Sequence, residues 1–391
     1  MYKKNGLIII LFVIIFGCSN EKDSYISDDK LSVITIDLYN KSDLDIHQLV
    51  SELSFIPLET SDEFVIGNID KLLYFDNKYI IADRTTHNIF VFSDSGKFIS
   101  KIGSQGKGPF EYLTLRDIAI NTTDSSLNVL AGTNPVRIIK YSLDNEHISD
   151  FKLSNLNADK FTLSCNNFIL YNSYPTHKNS GYSLTIVDND GDIISQYLPF
   201  NHYTDTYYDY CNFYSYNNYK HFNMLLDYNI YRISPQNIVS KCYYFDFGEL
   251  KLPEEVKNTY STNFEEFVKK SQNYISGIYQ IQEIDNCLYF SFPYDGRDYQ
   301  VFRSKSTGNM VLGYTTSGFL DSWISCPIGT IDNKFVAQMD PSALHNLFDY
   351  IKQNKDAYES FVEENENLFN LYKDTNKYSN PILIIYSLTS F

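Results

Sequence analysis

Short apolar segments separated by polar turns recur along most of this chain and constrain its fold more than any other feature. In the copy at residues 78–102, two apolar runs (79–82 and 89–92) precede a hairpin-type turn around Gly96 and an alternating segment at 98–102. Gly96 suits the turn because glycine adopts positive φ without steric cost. The pattern predicts short antiparallel β-strands, since each apolar segment is too short for a helix.

The same unit returns at a spacing of about 40 residues, which indicates a propeller or a β-solenoid. Its further copies lie within 127–141, 168–187, 222–233 and 288–303, and a sixth combines 334–339 with 381–388. We therefore predict an all-β, six-bladed β-propeller over residues 32–391. We also predict that residues 32–38 close the ring beside 381–388, because an open sheet edge invites the addition of foreign strands.

Two segments break the strand pattern and predict two small helical insertions, near 252–275 and near 341–373. In the first, Pro253 stands at the start, and Phe264 and Phe267 follow at helical spacing. A helix with an apolar face must bury that face. We therefore expect both insertions to pack onto the sheets or onto each other.

The N-terminus has the composition of a secretory signal peptide. Lys3 and Lys4 form a basic segment, and residues 7–16 form an apolar run that is too short to span a membrane. Gly17-Cys18 after this run resembles the bacterial lipobox, and the resemblance implies cleavage before Cys18 and acylation of that cysteine. The alternative is a soluble secreted protein in which Cys18 is incidental. We predict a signal peptide at 1–17 and a flexible tether at 18–31.

The charge of the chain excludes one class of partner. Removing residues 1–17 removes two lysines and no acid, which takes the formal net charge from −16 to −18. Nucleic-acid binding relies on basic surfaces, so we expect no nucleic-acid partner.

The cysteines that remain after residue 18 are odd in number and form no C-x-x-C pair; they are Cys165, Cys211, Cys242, Cys287 and Cys326. The sequence therefore predicts no cofactor, no metal site and no complete disulfide framework.

Several motifs match a known family of bacterial envelope proteins. They comprise Phe55-Ile56-Pro57-Leu58-Glu59-Thr60, Ile66-Gly67, Val91-Phe92, Gly96-Lys97, Lys101-Ile102-Gly103, the segment from Gly106 to Tyr112, and Asn380-Pro381-Ile382-Leu383 with Tyr386. These residues resemble the bacterial lipoprotein six-bladed β-propellers, which are related to NHL-type propellers. Phe110 stands where that family usually has glycine. The resemblance implies the fold and a location in the cell envelope, and it implies no particular ligand.

Loop position selects the candidate binding residues. In a propeller, connections from strand two to three and from strand four to the next blade open on one face, and every irregular segment here falls in those two classes. Loops on a rigid scaffold carry most binding function. The lipidation candidate is Cys18, and the ligand-binding candidates are Arg84, His87, Arg137, Tyr174, His177, Tyr207, Tyr208, Asp227, Asp295, Arg297 and Trp323.

Two motifs with a chemical appearance are better explained as turns. The Gly103–Gly108 segment lacks the Gly-Lys-Ser/Thr that opens a helix in a phosphate loop. The acidic run beginning at Asp188 lacks the glycine and glutamate positions of a calcium loop. We expect both segments to be connections between strands.

Two functional classes remain open at this point. The first is a non-catalytic binding or scaffold propeller for a glycan, a peptide or a partner protein. It would be attached to the membrane, and to the outer membrane in particular, through Cys18, on either the periplasmic or the surface side. The alternative is a glycan-processing hydrolase or lyase that uses carboxylates in the propeller funnel. The fold cannot decide between them, because propellers host both classes.

Lipidation can be tested by a substitution that removes the sulfur atom of Cys18. In Cys18→Ala, the sulfur that would carry the lipid is absent, so we expect the protein to move from the detergent phase to the aqueous phase in a phase-partition assay of whole cells. Cys165→Ala is the matched control and should partition as the wild type does. Unchanged membrane retention of Cys18→Ala would contradict the prediction.

Overall fold

The computed structural model describes residues 31–38, 44–132, 135–153, 156–165, 167–173, 181–200, 213–224, 226–314 and 318–391. Strands dominate these residues and form six sheets, with a few helices between them. None of the helices in these ranges is both long and apolar enough to cross a membrane.

The first two strands of the chain, β1 (Ser32–Thr35) and β2 (Val50–Pro57), precede the sheets that they join. Sheet one consists of β3 (Lys71–Phe75), β4 (Lys78–Asp83), β5 (Asn88–Ser93) and β6 (Phe98–Lys101), and sheet two of β7 (Leu115–Asn121), β8 (Ser126–Ala131), β9 (Arg137–Ser142) and β10 (His147–Lys152). Sheet three consists of β11 (Lys160–Ser164), β12 (Asn167–Tyr171), β13 (Tyr182–Val187) and β14 (Ile193–Pro199).

Sheets four to six follow the same order. Sheet four consists of β15 (Tyr214–Tyr216), β16 (Tyr219–Asn223), β17 (Asn229–Ile233) and β18 (Val239–Asp246), and sheet five of β19 (Gln280–Glu283), β20 (Cys287–Tyr294), β21 (Arg297–Ser304) and β22 (Met310–Gly313). Sheet six joins β23 (Gly329–Ile331), β24 (Lys334–Met339) and β25 (Ile382–Leu388) to β2. Within every sheet, the strands from β3 to β25 pair in antiparallel orientation.

The sheets follow one another in a closed, propeller-like ring. The first strand of each sheet lies against the first or second strand of the next, from β3 round to β23, and β23 lies against β3. We call the end of each sheet at which its first strand begins the upper end. Antiparallel pairing then places the connection between strands two and three, and the exit from strand four, at the upper end of every sheet.

The predicted closing strand was wrong. The strand that pairs with β25 is β2, with Val50 opposite Leu388 and Pro57 opposite Ile382. β1 instead pairs in parallel with β18, with Ser32 opposite Tyr243, and extends sheet four to five strands. The outer position of sheet six needs an antiparallel partner that leads directly into sheet one, and β2 meets both conditions.

Hairpin turns at the lower ends explain why these strands pair locally. Two-residue turns link β3 to β4, β15 to β16 and β23 to β24, and both residues of each turn have positive φ, as in Asp332 (46°) and Asn333 (62°). Aspartate and asparagine tolerate this region better than other residues with a Cβ. Such turns match the right-handed twist of the strands they connect.

Helices occupy both segments in which helical insertions were predicted. Three short helices, α1 (Glu254–Lys257), α2 (Thr259–Thr262) and α3 (Phe264–Ser271), lie between β18 and β19. After α4 (Asp321–Ile324), which precedes β23, the helices α5 (Pro341–Ile351), α6 (Lys355–Glu364) and α7 (Glu366–Asp374) lie between β24 and β25. Both insertions therefore emerge at the upper ends of their sheets.

The insertion helices bury part of their apolar faces, whereas Phe264 of α3, which was expected to be buried, is 40% exposed. Phe267 packs with Leu226, Leu252 and Tyr260, and its ring lies edge-on to Tyr260 at 4.8 Å between centroids. Phe348 of α5 is completely buried and joins the core between sheets five and six. The side chains of Asn263, Asp340 and Asn354 cap α3, α5 and α6 by accepting backbone N–H hydrogen bonds.

A histidine–carboxylate cluster fastens the segment before β2 to α4. His47 Nδ1 lies 2.6 Å from Asp321 Oδ2 and 2.7 Å from Asp45 Oδ1, and the His47 backbone N–H donates to Asp321 Oδ1 at 2.9 Å. Asp321 is buried, and its hydrogen bond to His47 is the main cause of a raised pKa for the histidine. These short separations are those of direct charge-assisted hydrogen bonds.

This cluster makes a prediction about pH. A raised histidine pKa means that the protonated form stabilises the fold, so the contribution is complete below about pH 6.5 and is lost as pH rises through the raised pKa. We expect the difference in melting temperature between wild type and His47→Gln to be largest in mildly acidic buffer and to shrink towards pH 8. Asp321→Asn should show the same trend. A difference that stays constant across this range would contradict the assignment.

Candidate functional site

A cavity of about 310 Å³ lies at the centre of the ring. Residues of β3, β7, β11, β15, β19 and β23 line it, so that every sheet contributes its first strand, and β16 contributes one further residue. Polar side chains share the wall with aliphatic ones; the polar set comprises Asp70, Lys71, Asp117, Thr122, Lys160, Thr162, Ser215, Lys220, Gln282 and Thr330. Concave sites with a few convergent polar groups are the usual form of a ligand pocket.

Asp117 is the structural centre of the cavity wall. Its side chain is 2% exposed, and its Oδ1 accepts hydrogen bonds from Lys71 Nζ at 2.8 Å and from the backbone N–H of Ile118 at 2.9 Å. Its Oδ2 accepts the backbone N–H of Phe161 at 2.9 Å. One carboxylate thereby connects the first strands of sheets one, two and three.

Lys220 approaches the cavity from sheet four. Its ammonium group donates to Ser215 Oγ at 2.9 Å, and both residues line the cavity. Burial, followed by repulsion from Lys71, lowers the pKa of Lys220. Lys160, the first residue of β11, lines the same cavity. The cavity therefore collects three lysines in a chain whose net charge is −16.

Asp70 stands at the upper end of the cavity, just before β3. Its Oδ2 accepts the backbone N–H of Arg84 at 2.6 Å, and its Oδ1 accepts Nδ2 of Asn68 at 3.0 Å. Asp70 thus holds the connection between β4 and β5, on which the candidates Arg84 and His87 lie. The backbone of that loop is fixed at the cavity mouth by this contact.

Three of the predicted ligand-binding residues have structural partners. Arg137 donates to the carbonyl oxygens of Pro109 and Glu111 and so holds the glycine-rich connection between sheets one and two. His87 accepts the backbone N–H of Leu115 through Nδ1 at 3.2 Å. Asp227 accepts the backbone N–H of Asn229 and the hydroxyl of Tyr231. None of the three candidates lines the central cavity.

The other candidates lie farther from this centre or outside the described residues. Asp295 forms the β20–β21 turn, and the Arg297 guanidinium lies 4.3 Å from the centroid of the Tyr314 ring. Trp323 packs against the core between sheets five and six. None of these three lines the cavity either. Cys18, Tyr174, His177, Tyr207 and Tyr208 lie outside the described residues.

A second group of ionisable residues lies between sheets four and five. Glu283 is 3% exposed and accepts hydrogen bonds from Tyr243 and Tyr214, and it forms an ion pair with Lys305 at 2.9 Å. His221 stacks on Tyr214, and burial is the main reason that its pKa falls to about 3. The carboxylate of Glu283 is already bound by these three partners, and the imidazole of His221 is neutral. This group holds two sheets together and offers no accessible acid or base.

Sequence reasoning did not identify the cavity residues. Lys71 and Lys160 begin their strands, where a polar residue before an apolar run is ordinary, and Asp117 sits in an alternating strand. The available signal was a charged residue near the start of the first strand in three consecutive repeats. That signal acquires meaning only once the six first strands are known to face one centre.

Comparisons with known proteins agree with this fold. Residues 31–387 match the model of the family described as a domain of unknown function, DUF4934. A crystal structure from Bacteroides fragilis NCTC 9343, which carries the name of an exported protein, superposes with a TM-score of 0.72 at 18% identity over 92% of this chain and 100% of that one. A DUF4221 member from Bacteroides vulgatus gives 0.52 at 11% identity, over 88% and 98%. No curated protein sequence matches the chain.

Asp117 supports a prediction about stability. Asp117→Ala removes a buried partner of Lys71 and leaves the Phe161 N–H unpaired, which should cost about 3 kcal/mol of unfolding free energy. The matched control is Glu52→Gln, which breaks the exposed ion pair with Lys334 and should leave the denaturation midpoint unchanged. Equal effects of the two substitutions in chemical denaturation would show that Asp117 does not have this role.

Proposed function

The chain belongs to the DUF4934 family, and we propose that it is a six-bladed β-propeller lipoprotein of the bacterial cell envelope that binds a glycan or a peptide in its central cavity. The blade count is supported by six sheets of four or five strands and by the contact of β23 with β3. The envelope location is supported by the predicted signal peptide at 1–17 with Cys18, and by the exported name of the Bacteroides fragilis protein.

The central cavity is the observation on which the binding role depends. Its volume of about 310 Å³ lies at the lower end of the range for small-molecule sites. All six first strands form its wall, and strands position side chains more rigidly than loops do. A cavity of this size accommodates a sugar unit or a short peptide segment and excludes a folded protein domain.

The two helical insertions support the same location for the site. Both leave their sheets at the upper end, and each buries an aromatic side chain, Phe267 in the first and Phe348 in the second. We infer that they extend the rim at the upper end of the ring. Such a rim would limit access to the cavity and increase the contact that a ligand entering from this end can make.

Catalysis by carboxylates is the less favoured alternative. The two carboxylates of the cavity wall, Asp70 and Asp117, both accept backbone N–H hydrogen bonds, and Asp117 is also paired with Lys71. A glycosidase needs one carboxyl group that holds a proton and a second that is free to attack or to activate water. Neither residue is arranged for these roles, so we favour binding over hydrolysis.

Gly329 gives a direct test of ligand binding in the cavity. It lines the cavity, and a Cβ added there would meet no heavy atom within 4 Å. Gly329→Trp should therefore fill the cavity with little backbone strain, and Gly329→Ala is the matched control. We expect sugars or dipeptides that raise the melting temperature of wild type and Gly329→Ala to have no effect on Gly329→Trp.

Two outcomes would count against the proposal. If Gly329→Trp is stabilised as strongly as the wild type, the ligand binds elsewhere. If wild type releases reducing sugars from a polysaccharide at a rate that Asp70→Asn abolishes, the protein is a hydrolase and not a binding protein. Thermal melting of Gly329→Trp without ligand shows whether the variant is folded.

A further inference from the structure

We propose that the central cavity is an anion site, and that its ligand carries a carboxylate, sulfate or phosphate group bound by Lys160 and Lys220. This inference rests on the proposed function, since it concerns the chemical class of the ligand in the same cavity. Charged sugars such as uronic acids, and peptides with an acidic group, belong to this class.

The sign of the charge in the cavity is the first argument. Among the described residues that line it, three carry ammonium groups and two carry carboxylates, a formal excess of one positive charge, whereas the whole chain carries −16. These residues are therefore more positive than the chain as a whole. A concave site with an excess of one sign attracts ligands of the opposite sign because its low-dielectric walls focus the field.

The second argument is that both carboxylates already accept hydrogen bonds from other groups. Lys71 Nζ and two backbone N–H groups already occupy the oxygens of Asp117, and Asp70 is engaged by Arg84 N–H and Asn68. The described hydrogen bonds of both carboxylates are therefore made with groups other than Lys220. The hydrogen-bond acceptor of Lys220 is Ser215 Oγ, which is uncharged.

The cost of holding Lys220 in this place is the third argument. Burial and the nearby Lys71 both disfavour its charged form, so its pKa is lowered. An oxyanion bound near Lys220 would compensate for both effects, because it replaces lost solvation and screens the repulsion between the lysines. Charge-assisted hydrogen bonds to such a group are about twice as strong as those between neutral groups.

Neutral polar groups complete the site. Thr162 and Gln282 are both buried and line the cavity with Ser215. Hydroxyl and amide groups donate and accept, so they can bind the uncharged hydroxyls of a sugar or the amide of a peptide while the lysines bind its charge. This combination suits a small ligand with one anionic group better than an inorganic ion alone.

Isothermal titration of the mature protein with galacturonate and with galactose tests the inference. The two sugars differ in the carboxylate, so we expect galacturonate to bind and galactose to bind at least tenfold more weakly. Lys220→Gln and Lys160→Gln should each weaken galacturonate binding about tenfold, which is the value of one charge-assisted hydrogen bond. Lys220→Arg keeps the charge and should retain binding. Sulfate and phosphate, each titrated alone, distinguish a sugar acid from an inorganic anion.

The outcomes separate this inference from the proposed function. If galactose or a neutral dipeptide binds as tightly as galacturonate, and Gly329→Trp abolishes that binding, the cavity binds ligands but is not an anion site. If galacturonate, sulfate and phosphate all fail to bind, the inference is overturned. Equal affinity of Lys220→Gln and wild type for galacturonate, with both proteins folded by thermal melting, also overturns it.

Discussion

Pairing between β2, near the start of the described chain, and β25, its last strand, closes the ring. Along this ladder Ser54 lies opposite Ile385, 331 positions away in sequence. The entropic cost of closing a loop grows only slowly with its length, so an eight-residue strand paired along most of its length can offset it. Without β2, sheet six would expose the edge of β25, and sheets six and one would be joined mainly by the apolar cluster between them.

Closure also creates the cavity, because the cavity exists only where six first strands face one centre. These strands differ in length: β7 has seven residues, whereas β15 and β23 have three each. Short first strands bring fewer side chains to the centre, and Lys220 of β16 lines the wall beside β15. The space at the centre is therefore a consequence of how the repeats vary around the ring.

The repeat pattern predicted the presence of the strands well and the residues at which they end less well. The apolar run at 222–226 suggested a strand there, but β16 ends at Asn223, and Leu226 lies in a turn with a φ of 56°. Apolar residues occur in turns when an insertion covers them, and here the α1–α3 segment packs on Leu226.

The site escaped prediction for a different reason. Lys71 and Lys160 are 89 positions apart by their numbering, and only the circular order of the sheets brings them to one wall.

The composition of the cavity wall is difficult to explain by stability alone. Replacing buried ion pairs with apolar residues of similar volume is often neutral or stabilising in proteins. The wall nevertheless retains a buried aspartate paired with Lys71, and a second lysine whose pKa is lowered by its surroundings. The Asp117 contacts connect three sheets and so have a structural purpose. Among the described residues, the Lys220 ammonium has no comparable contact, since its hydrogen bond to Ser215 joins two strands already paired in one sheet. We propose that such a charge, which costs stability and joins no further strand, is retained because it binds a ligand.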